Sequence, residues 1–385
     1  MDRERYPRTS FGQARRTPGR HGYVAYFPAP IPRALTFPMS TLALLGDAEA
    51  SLGRLSGYNR LLPSPSPLLR PYILREALAS TRIEGTHATI SEVIEVDAAA
   101  ETPNHDVEEV LNYVDALDWG LGELDRLPVS TRLLRGMHRR LMAGVRGRER
   151  TPGELRRSQN SIGGATVQAA EFVPPPPEEL PALLADWERF ANEQAEMPVL
   201  IQNALLHSQF ETIHPFLDGN GRLGRLMLVY FLIVRGRLDA PLLYLSDYLE
   251  ADRQRYYESL RAIQQSGDPS PWIELYLTAV QTQAGDALSR AARIVDLRQR
   301  YLEEAAGLGS RNAFALVDLI CQSPVVTSRP VEERLGVTRP TALRLLRRLE
   351  EKGVLSEGDR GSRGQRHYVA EEMMAAVAGE GTGGD

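Results

Sequence analysis

Residues 214–225 have the sequence HPFLDGNGRLGR, which combines a histidine, a carboxylate, a glycine-rich turn and two arginines. Gly219, Asn220 and Gly221 predict a turn whose backbone N–H groups can approach an anion, because their side chains are absent or short. The apolar residues that follow predict a helix whose N-terminus points into the same turn and favours negative charge there. Together these features predict a site for phosphoryl chemistry on a nucleotide.

The side chains around this turn have complementary roles in such chemistry. Arg222 and Arg225 are three residues apart on the predicted helix, so both guanidinium groups can reach the same phosphates. Asp218 would be repelled by phosphates unless a cation lay between them, which makes it the candidate ligand for Mg²⁺ (or Mn²⁺). His214 can accept a proton near neutral pH and is the candidate base for an incoming hydroxyl.

Two other interpretations of residues 214–225 are open. Gly219, Gly221 and Gly224 have the spacing of a dinucleotide-binding fingerprint, but that fingerprint follows a β-strand, whereas residues 199–213 have helical spacing. The second alternative is a glycine-rich loop with a core histidine and surface arginines. This second alternative leaves unexplained why His, Asp, Asn and two Arg occur together in one short segment, since it gives them no shared function.

Every specified position of the segment matches the Fic family motif, His-x-Phe-x-(Asp/Glu)-Gly-Asn-Gly-Arg-x-x-Arg, so the chain resembles that family. The resemblance implies transfer of AMP from ATP to a hydroxyl of a target protein. It also implies that His214 is the base, Phe216 a core anchor and Asp218 the metal ligand. The nucleotide would be bound by consecutive residues of the turn and helix: Gly219, Asn220, Gly221, Arg222, Leu223, Gly224 and Arg225.

The resemblance extends to residues 153–177, which look like the family's β-hairpin flap, the element that lines up the target segment. The β-branched and aromatic residues, the Gly-Gly pair and the closing prolines agree with a hairpin, and an exposed strand edge can hold an extended peptide. Ile162 and Gly163 of the flap are expected next to the nucleotide. Tyr257 is also expected there, because Tyr256-Tyr257 resembles a pair near the adenine; two half-buried helix aromatics are the alternative.

Residues 71–84 predict a helix far upstream of the motif. Pro71 fits its first position, and Gly85 fits the left-handed residue after its end. Glu84 would end this helix, where the helix dipole disfavours a carboxylate. A positive partner for Glu84 elsewhere in the fold is therefore expected.

Residues 80–85, STRIEG, match the family's inhibitory pattern (Ser/Thr)-x-x-x-Glu-(Gly/Asn). The resemblance implies that Glu84 pairs with Arg225 and obstructs the γ-phosphate of ATP. Ser80 lies one turn before Glu84 on the same helix face and can help orient the carboxylate, and Gly85 completes the pattern. The alternative is an exposed glutamate beside an ordinary C-terminal glycine.

The composition is that of a globular protein. The 385 residues can hold two or three domains, and 42% of them are apolar and 25% charged. The net charge of −5 does not by itself indicate binding to nucleic acids or membranes. The single cysteine, Cys321, excludes an intramolecular disulfide framework and indicates a reducing, cytoplasmic compartment. Residues 3–20 lack the apolar part of a secretory signal, and residues 226–234 are too short to span a bilayer.

The expected fold class is mainly α: a Fic-type helical core with a small β-hairpin flap, plus a C-terminal winged helix-turn-helix domain. Residues 1–40 predict an extended N-terminal arm, and residues 41–127 a helical region with the inhibitory helix. The catalytic core is expected at 128–308 and the winged domain at 309–372. Residues 373–385 predict a disordered tail, because the glycine-rich end has nothing to bury.

Within the expected winged domain, three helices precede a strand, a loop and a strand. Thr338 is expected to cap the third helix, whose apolar face points inward. The opposite face leaves polar residues for a groove or for backbone phosphates of DNA: Arg339, Thr341, Arg344 and Arg348. Nearby glutamates dilute the positive field, so a winged helix with a solvated arginine face, used for dimerisation or for docking the target, is an equal alternative.

Several functional alternatives follow from the sequence. The same site could remove AMP or transfer another nucleotide or phosphate group. A DNA-binding regulator that senses ATP is the alternative from another class, and the presence of both His214 and Asp218 argues against it. The resemblance also implies an unidentified target protein and a homodimer.

Overall fold

The computed structural model describes residues 1–18, 22–61, 66–99, 103–144, 151–194, 196–360 and 366–378. The helices are α1 Met39–Leu61, α2 Ser66–Ile83, α3 Ile90–Ala99, α4 His105–Gly122, α5 Thr131–Leu141, α6 Leu180–Asn192, α7 Val199–Ile213, α8 Asn220–Val234, α9 Leu245–Ala251, α10 Arg253–Ser266, α11 Ser270–Ala306, α12 Arg311–Gln322, α13 Ser328–Leu335, α14 Arg339–Glu351 and α15 Glu371–Ala378. The strands are β1 Gly12–Arg16, β2 Val24–Pro28, β3 Val325–Val326, β4 Ser356–Arg360 and β5 Arg366–Val369. The predicted mainly α fold is confirmed.

The chain forms two compact units. Unit 1 comprises residues 1–53, 112–238 and 245–282, and unit 2 comprises residues 54–111, 239–244 and 283–385. The boundaries expected at 41, 128 and 309 differ from those of the units. The reason lies in unit 2, where α2 packs against α12 and α15 instead of belonging to a separate N-terminal region.

The core of unit 1 is built around α7 and α8, which pack against each other. α7 is buried along almost its whole length although about half of its residues are polar, and buried side chains such as Gln202, Asn203 and Thr212 donate hydrogen bonds within the core. Two buried indole N–H groups donate to its carbonyls, Trp187 to Leu206 at 2.9 Å and Trp272 to Ala204 at 2.8 Å. Neither tryptophan thus loses a hydrogen bond on burial.

The N-terminal arm differs from the extended segment that was expected. β1 and β2 pair antiparallel, with Gly12 opposite Pro28 and Arg16 opposite Val24. Tyr26 of β2 is buried and lies in a cluster with Tyr6 and Phe172. The β-branched and aromatic residues of β2 suit a pleated, half-buried surface, and β2 pairs with β1 as a hairpin.

The flap at residues 153–177 is a loop closed by a single antiparallel bridge, between Ile162 and Phe172, and forms no strand in the described residues. The hairpin expected there is therefore reduced to one residue pair. The proline run at 174–177 has no backbone N–H to continue a ladder. The flap instead contacts the N-terminal hairpin through the backbone, because the amide of Tyr26 donates to the carbonyl of Val173 at 2.9 Å.

The helix that carries Glu84 begins earlier than expected. α2 starts at Ser66, so Pro71 lies inside the helix, where it removes one backbone hydrogen bond, and not at its first position. Pro67 fits a first turn equally well, which is why the sequence alone misplaced the start. The last helical residue is Ile83, and Glu84 and Gly85 form the turn that follows.

The C-terminal part of unit 2 has the predicted order of helices followed by two strands. α12, α13 and α14 precede β4 and β5, and a short strand that was not expected, β3, lies between α12 and α13. The three strands form a small antiparallel sheet of order β3-β5-β4. The identification of this part as a winged helix stays a prediction. Thr338 occupies the predicted N-cap position of α14, but its side chain makes no capping hydrogen bond.

The expected tail is wrong for residues 373–378, because they belong to α15. Met373, Ala376 and Val377 have the spacing of an amphipathic helix and are buried. Residues 379–385 lie outside the described residues. Within the described part of the chain, no helix has both the length and the apolarity needed to cross a bilayer.

Candidate functional site

The candidate base follows directly after α7. His214 has a left-handed backbone, with φ 49° and ψ 61°, and its amide donates to the carbonyl of Phe210 at 2.9 Å. This conformation turns the chain out of the helix, and histidine tolerates it better than most residues do. The side chain is half-buried, and Nδ1 lies 3.4 Å from the carbonyl oxygen of Glu211. A proton on Nδ1 would leave Nε2 as the basic nitrogen.

The loop between α7 and α8 is closed by Asn220. Its Oδ1 accepts from the amide of Phe216 at 2.9 Å, and its Nδ2 donates to the carbonyl of Phe216 at 2.9 Å. The side chain is buried and both of its polar groups are used, so it fixes the width of the loop. The sequence identified Asn220 only as a short residue in an anion-binding turn, and this closing role was missed.

Gly219 is required at the start of α8. Its φ is 72°, and a β-carbon added there would lie 2.7 Å from the sulfur of Met142. Its amide donates to Oδ1 of Asp218 at 2.7 Å. The glycine therefore allows the turn to lie close to α5, and the amide orients the candidate metal ligand.

The carboxylate of Asp218 fits a magnesium ion that keeps several waters and binds substrate phosphates, because such a site needs only one or two protein carboxylates. Asp218 is half-buried, and one of its oxygens is already held by the amide of Gly219. In the described ranges, no group of three or more His, Cys, Asp or Glu side chains could hold a metal ion. A metal here would therefore depend on Asp218 together with the phosphates.

Both arginines of the motif are buried in the first turns of α8, Arg222 being 4% and Arg225 1% exposed. A terminal nitrogen of Arg222 lies 3.4 Å from the sulfur of Met142. Arg225 lies near the hydroxyl of Tyr256, whose pKa is raised far above its ordinary value by burial and lowered in part by this guanidinium. Two desolvated guanidinium groups at a helix N-terminus strongly favour an anionic ligand.

The tyrosine pair divides between the core and the surface. Tyr256 is buried, and its hydroxyl lies 2.8 Å from Nε2 of His207. Burial lowers the pKa of His207 to about 3, so its imidazole is neutral. Tyr257 is half-buried against Tyr256, with ring centroids 5.0 Å apart, and remains the candidate of the two for a nucleotide contact.

His138 of α5 is a residue of the site that the sequence analysis missed. Its Nδ1 accepts from the amide of Gly153 at 2.8 Å, so Nε2 carries the proton and donates to the carbonyl of Asp218 at 3.0 Å. The ring stacks on Phe216 at 3.9 Å, and burial lowers the pKa of His138 to about 4. This neutral imidazole therefore links the start of the flap to the backbone of the candidate metal ligand.

Arg156 is the second missed residue. Its guanidinium donates to the carbonyls of His214 at 2.8 Å, Pro175 at 2.6 Å and Ile213 at 3.2 Å. It is 2% exposed, and burial lowers its pKa to about 10. An arginine fork is suited to this arrangement because it presents several donors in one plane. Arg156 holds the two ends of the flap against the residue that would act as base.

The remaining predicted residues lie as follows. In the flap of unit 1, Ile162 is half-buried and Gly163 is exposed with φ 71°. In unit 2, Ser80 is fully buried, Glu84 is exposed at the end of α2, and Gly85 has φ 96°. Ser80 and Glu84 thus differ in exposure although they are one turn apart.

Two family models match the chain. Residues 42–122 match the model described as Fic/DOC family N-terminal, and residues 128–232 match the model described as Fic/DOC family. The second range contains the flap, the α7–α8 loop and both motif arginines.

Two curated relatives illustrate the similarity. A probable protein adenylyltransferase of Aquifex aeolicus is 29% identical over 185 residues, which are 46% of this chain and 53% of that protein. The protein adenylyltransferase Fic of Drosophila melanogaster is 28% identical over 201 residues, which are 50% of this chain and 38% of that protein. The chain therefore spans about half or less of the length of these relatives.

Solved structures agree on the fold. A Fic family protein from Desulfovibrio desulfuricans superposes with a TM-score of 0.58 at 22% identity, covering 87% of this chain and 97% of that one. A Fic domain containing signaling protein from Bacteroides thetaiotaomicron gives 0.51 at 21% identity, covering 64% of this chain and 95% of that one. At such identities the likeness concerns the fold alone.

Proposed function

The chain belongs to the Fic/DOC family, and from this premise we propose that it is a protein adenylyltransferase, which transfers AMP from ATP to a Ser, Thr or Tyr hydroxyl of a target protein. The observation that carries the proposal is the α7–α8 loop. There His214, Asp218 and the glycine-rich turn adjoin two buried arginines at one helix N-terminus. The names of the curated relatives support the same activity.

In the proposed reaction, His214 accepts the proton of the target hydroxyl as its oxygen attacks the α-phosphate. The bond between the α-phosphate and the oxygen bridging to the β-phosphate breaks, and pyrophosphate leaves. The amides of Gly219, Asn220 and Gly221, which lie at the N-terminus of α8 and not in a separate turn, and the guanidinium groups of Arg222 and Arg225 offset the negative charge of the phosphates. Mg²⁺, when bound at Asp218, neutralises further phosphate charge. The product is AMP in phosphodiester linkage to the target.

Incubation with ATP labelled at the α-phosphate, followed by peptide mass spectrometry, tests this proposal. His214→Ala should keep its affinity for ATP and lose about 10²- to 10⁴-fold of the transfer rate, because a base acts on the acceptor. Asp218→Ala or EDTA should abolish transfer through loss of the metal. Unchanged transfer by His214→Ala would remove the assigned role. Loss of AMP from a modified target would indicate the alternative activity, AMP removal.

Glu84 carries a second part of the proposal, namely that it restrains transfer. The match of residues 80–85 to the inhibitory pattern supports it. The positive φ of Gly85 provides a physical reason for a glycine after Glu84, and the exposed Glu84 lies outside the core of unit 2.

Duplex DNA binding through α14, a homodimer and a cytoplasmic location stay predictions from the sequence. α14 exposes Arg339 and Arg344, whereas Arg348 donates to the carbonyl of Leu308 at 3.1 Å and is already used within unit 2. Duplex affinity should therefore fall steeply with salt and depend on Arg344 more than on Arg348. Absence of binding at low ionic strength would favour a protein-docking role for α14. Sedimentation analysis tests the dimer.

A further inference from the structure

A groove of about 590 Å³ lies on unit 1 between the end of α4 and α5. Its lining includes one indole, one carboxylate and four guanidinium groups: Trp119, Glu123, Arg126, Arg132, Arg135 and Arg139. The chain as a whole has a net charge of −5, so this concentration of arginine is a local feature. A concave surface with one sign of charge concentrates ligands of the opposite sign.

The arginines differ in how far they are engaged. Arg126 lies 3.4 Å from the carboxylate of Glu123, and Arg135 lies 2.7 Å from that of Glu154. Arg132 and Arg139 are exposed, and none of the ion pairs found among the described residues involves them. These two guanidinium groups are therefore accessible to an anion from solution.

Their spacing suits an extended chain. Arg132, Arg135 and Arg139 share one face of α5, and the first and last are seven residues apart, about 10.5 Å along the helix axis. Carboxylates on one face of an extended peptide recur about every 6.6 Å, within reach of two such long side chains. A peptide with several acidic residues can therefore meet more than one of these arginines at once.

The groove adjoins the flap. Arg135 donates through Nε to the carbonyl of Gly153 at 2.8 Å and pairs with Glu154, and these are the first residues of segment 153–177. The amide of the same Gly153 donates to His138, which holds the backbone of Asp218. A polypeptide lying along the flap can thus continue into the groove.

We propose that this arginine groove binds an acidic segment of the target protein, at a distance from the hydroxyl that receives AMP. The proposal rests on the proposed adenylyltransferase function for the identity of the occupant as a protein. The groove residues contribute affinity and selectivity for the target and take no part in the chemical step. Since exposed charge pairs are screened, binding through the groove weakens with salt.

The test uses the full chain and a fluorophore-labelled peptide of alternating Glu and Ser, with its Gln-for-Glu counterpart as control. At low ionic strength and without ATP, fluorescence anisotropy should show binding of the Glu peptide only. Arg132→Glu combined with Arg139→Glu should raise its Kd by about tenfold or more. Arg237→Glu reverses a single charge outside the groove lining, just beyond the C-terminal end of α8, and should change the Kd less than about twofold. Arg132→Glu alone, which makes the same charge change within the groove, should raise the Kd more than this control does.

Equal Kd values for the wild type and the double variant would overturn the proposal. Tighter binding of a single-stranded oligonucleotide of equal charge, with the same dependence on Arg132 and Arg139, would overturn it in favour of nucleic acid. Arg132→Gln with Arg139→Gln checks that loss of attraction, and not a new repulsion, causes the effect. The binding assay contains no ATP and is therefore independent of catalysis. Peptide binding in this assay, together with no AMP incorporation in a separate reaction with α-labelled ATP, would contradict the proposed function and leave the groove assignment intact.

Discussion

His138→Phe isolates what the buried imidazole contributes to the site. The imidazole of His138 stacks on Phe216 with ring centroids 3.9 Å apart, and a phenylalanine at position 138 keeps this stacking. It removes both hydrogen bonds of the imidazole. The amide of Gly153 and the carbonyl of Asp218 then lose their partner. A buried polar group left unsatisfied costs about 1–3 kcal/mol, and this cost applies in full to the amide of Gly153 and only in part to the half-buried carbonyl of Asp218. The free energy of unfolding should therefore fall by at least about 1–3 kcal/mol.

The same change should affect the candidate metal site. Because Nε2 of His138 holds the backbone of Asp218, its loss should raise the Mg²⁺ concentration that gives half-maximal AMP transfer. Supporting partners of a metal ligand typically affect metal affinity by about 10- to 100-fold. The assay is AMP incorporation against Mg²⁺ concentration, at a temperature where the folded fractions are equal.

Two further variants of His138 separate its two hydrogen bonds. Asn can place an oxygen near the position of Nδ1 and restore the bond from Gly153, whereas Gln can place a nitrogen near Nε2 and restore the bond to Asp218. Half-saturation by Mg²⁺ should therefore be closer to wild type in the Gln variant than in the Asn variant. If His138→Phe changed only the amount of active protein and left half-saturation unchanged, the positioning role would be refuted.

Three other perturbations test separate parts of the structure. Glu84→Gly should raise AMP incorporation, tenfold for every 1.4 kcal/mol of inhibitory interaction removed, and the double variant with His214→Ala should be inactive. Equal incorporation by wild type and Glu84→Gly would make the motif match accidental. Gly219→Ala should destabilise unit 1 by at least about 1–2 kcal/mol, because φ is 72° and the added carbon would meet the sulfur of Met142 at 2.7 Å. Thermal unfolding measures this, and only partial recovery is expected on adding Met142→Ala; full recovery would show that the backbone angle is not strained. Burial lowers the pKa of His207 to about 3, so below about pH 6.5 the unfolded chain binds a proton that the folded chain excludes. The free energy of unfolding should then fall as pH falls, by about 1.4 kcal/mol per pH unit from this residue, and urea unfolding of His207→Gln should lack this part of the slope; an unchanged slope would contradict the neutral, buried assignment.

The sequence determined the features that depend on neighbouring residues. α7, α8 and the turn between them follow from helical spacing and from glycines that tolerate positive φ, so the candidate base, the candidate metal ligand and both arginines could be identified together. α14 and its buried face could also be predicted from neighbouring residues, because the helical spacing of the apolar residues indicates both the helix and the face that is buried. The resemblance to the Fic family added the expected chemistry, because a long contiguous motif can be identified in the sequence without knowledge of the fold.

Tertiary structure decided everything that joins distant segments. The hydrogen bond from His138 to Asp218 spans 80 positions and that from Arg156 to His214 spans 58. Both residues lie in arginine-rich segments in which the sequence does not single them out. The flap closed on one bridge because the N-terminal hairpin supplied its backbone partner at Val173. α15 formed because unit 2 offered an apolar surface to cover. Spacing along a chain predicts which face a residue occupies, but the partner of a buried donor or acceptor is fixed only when packing brings two backbones within about 3 Å.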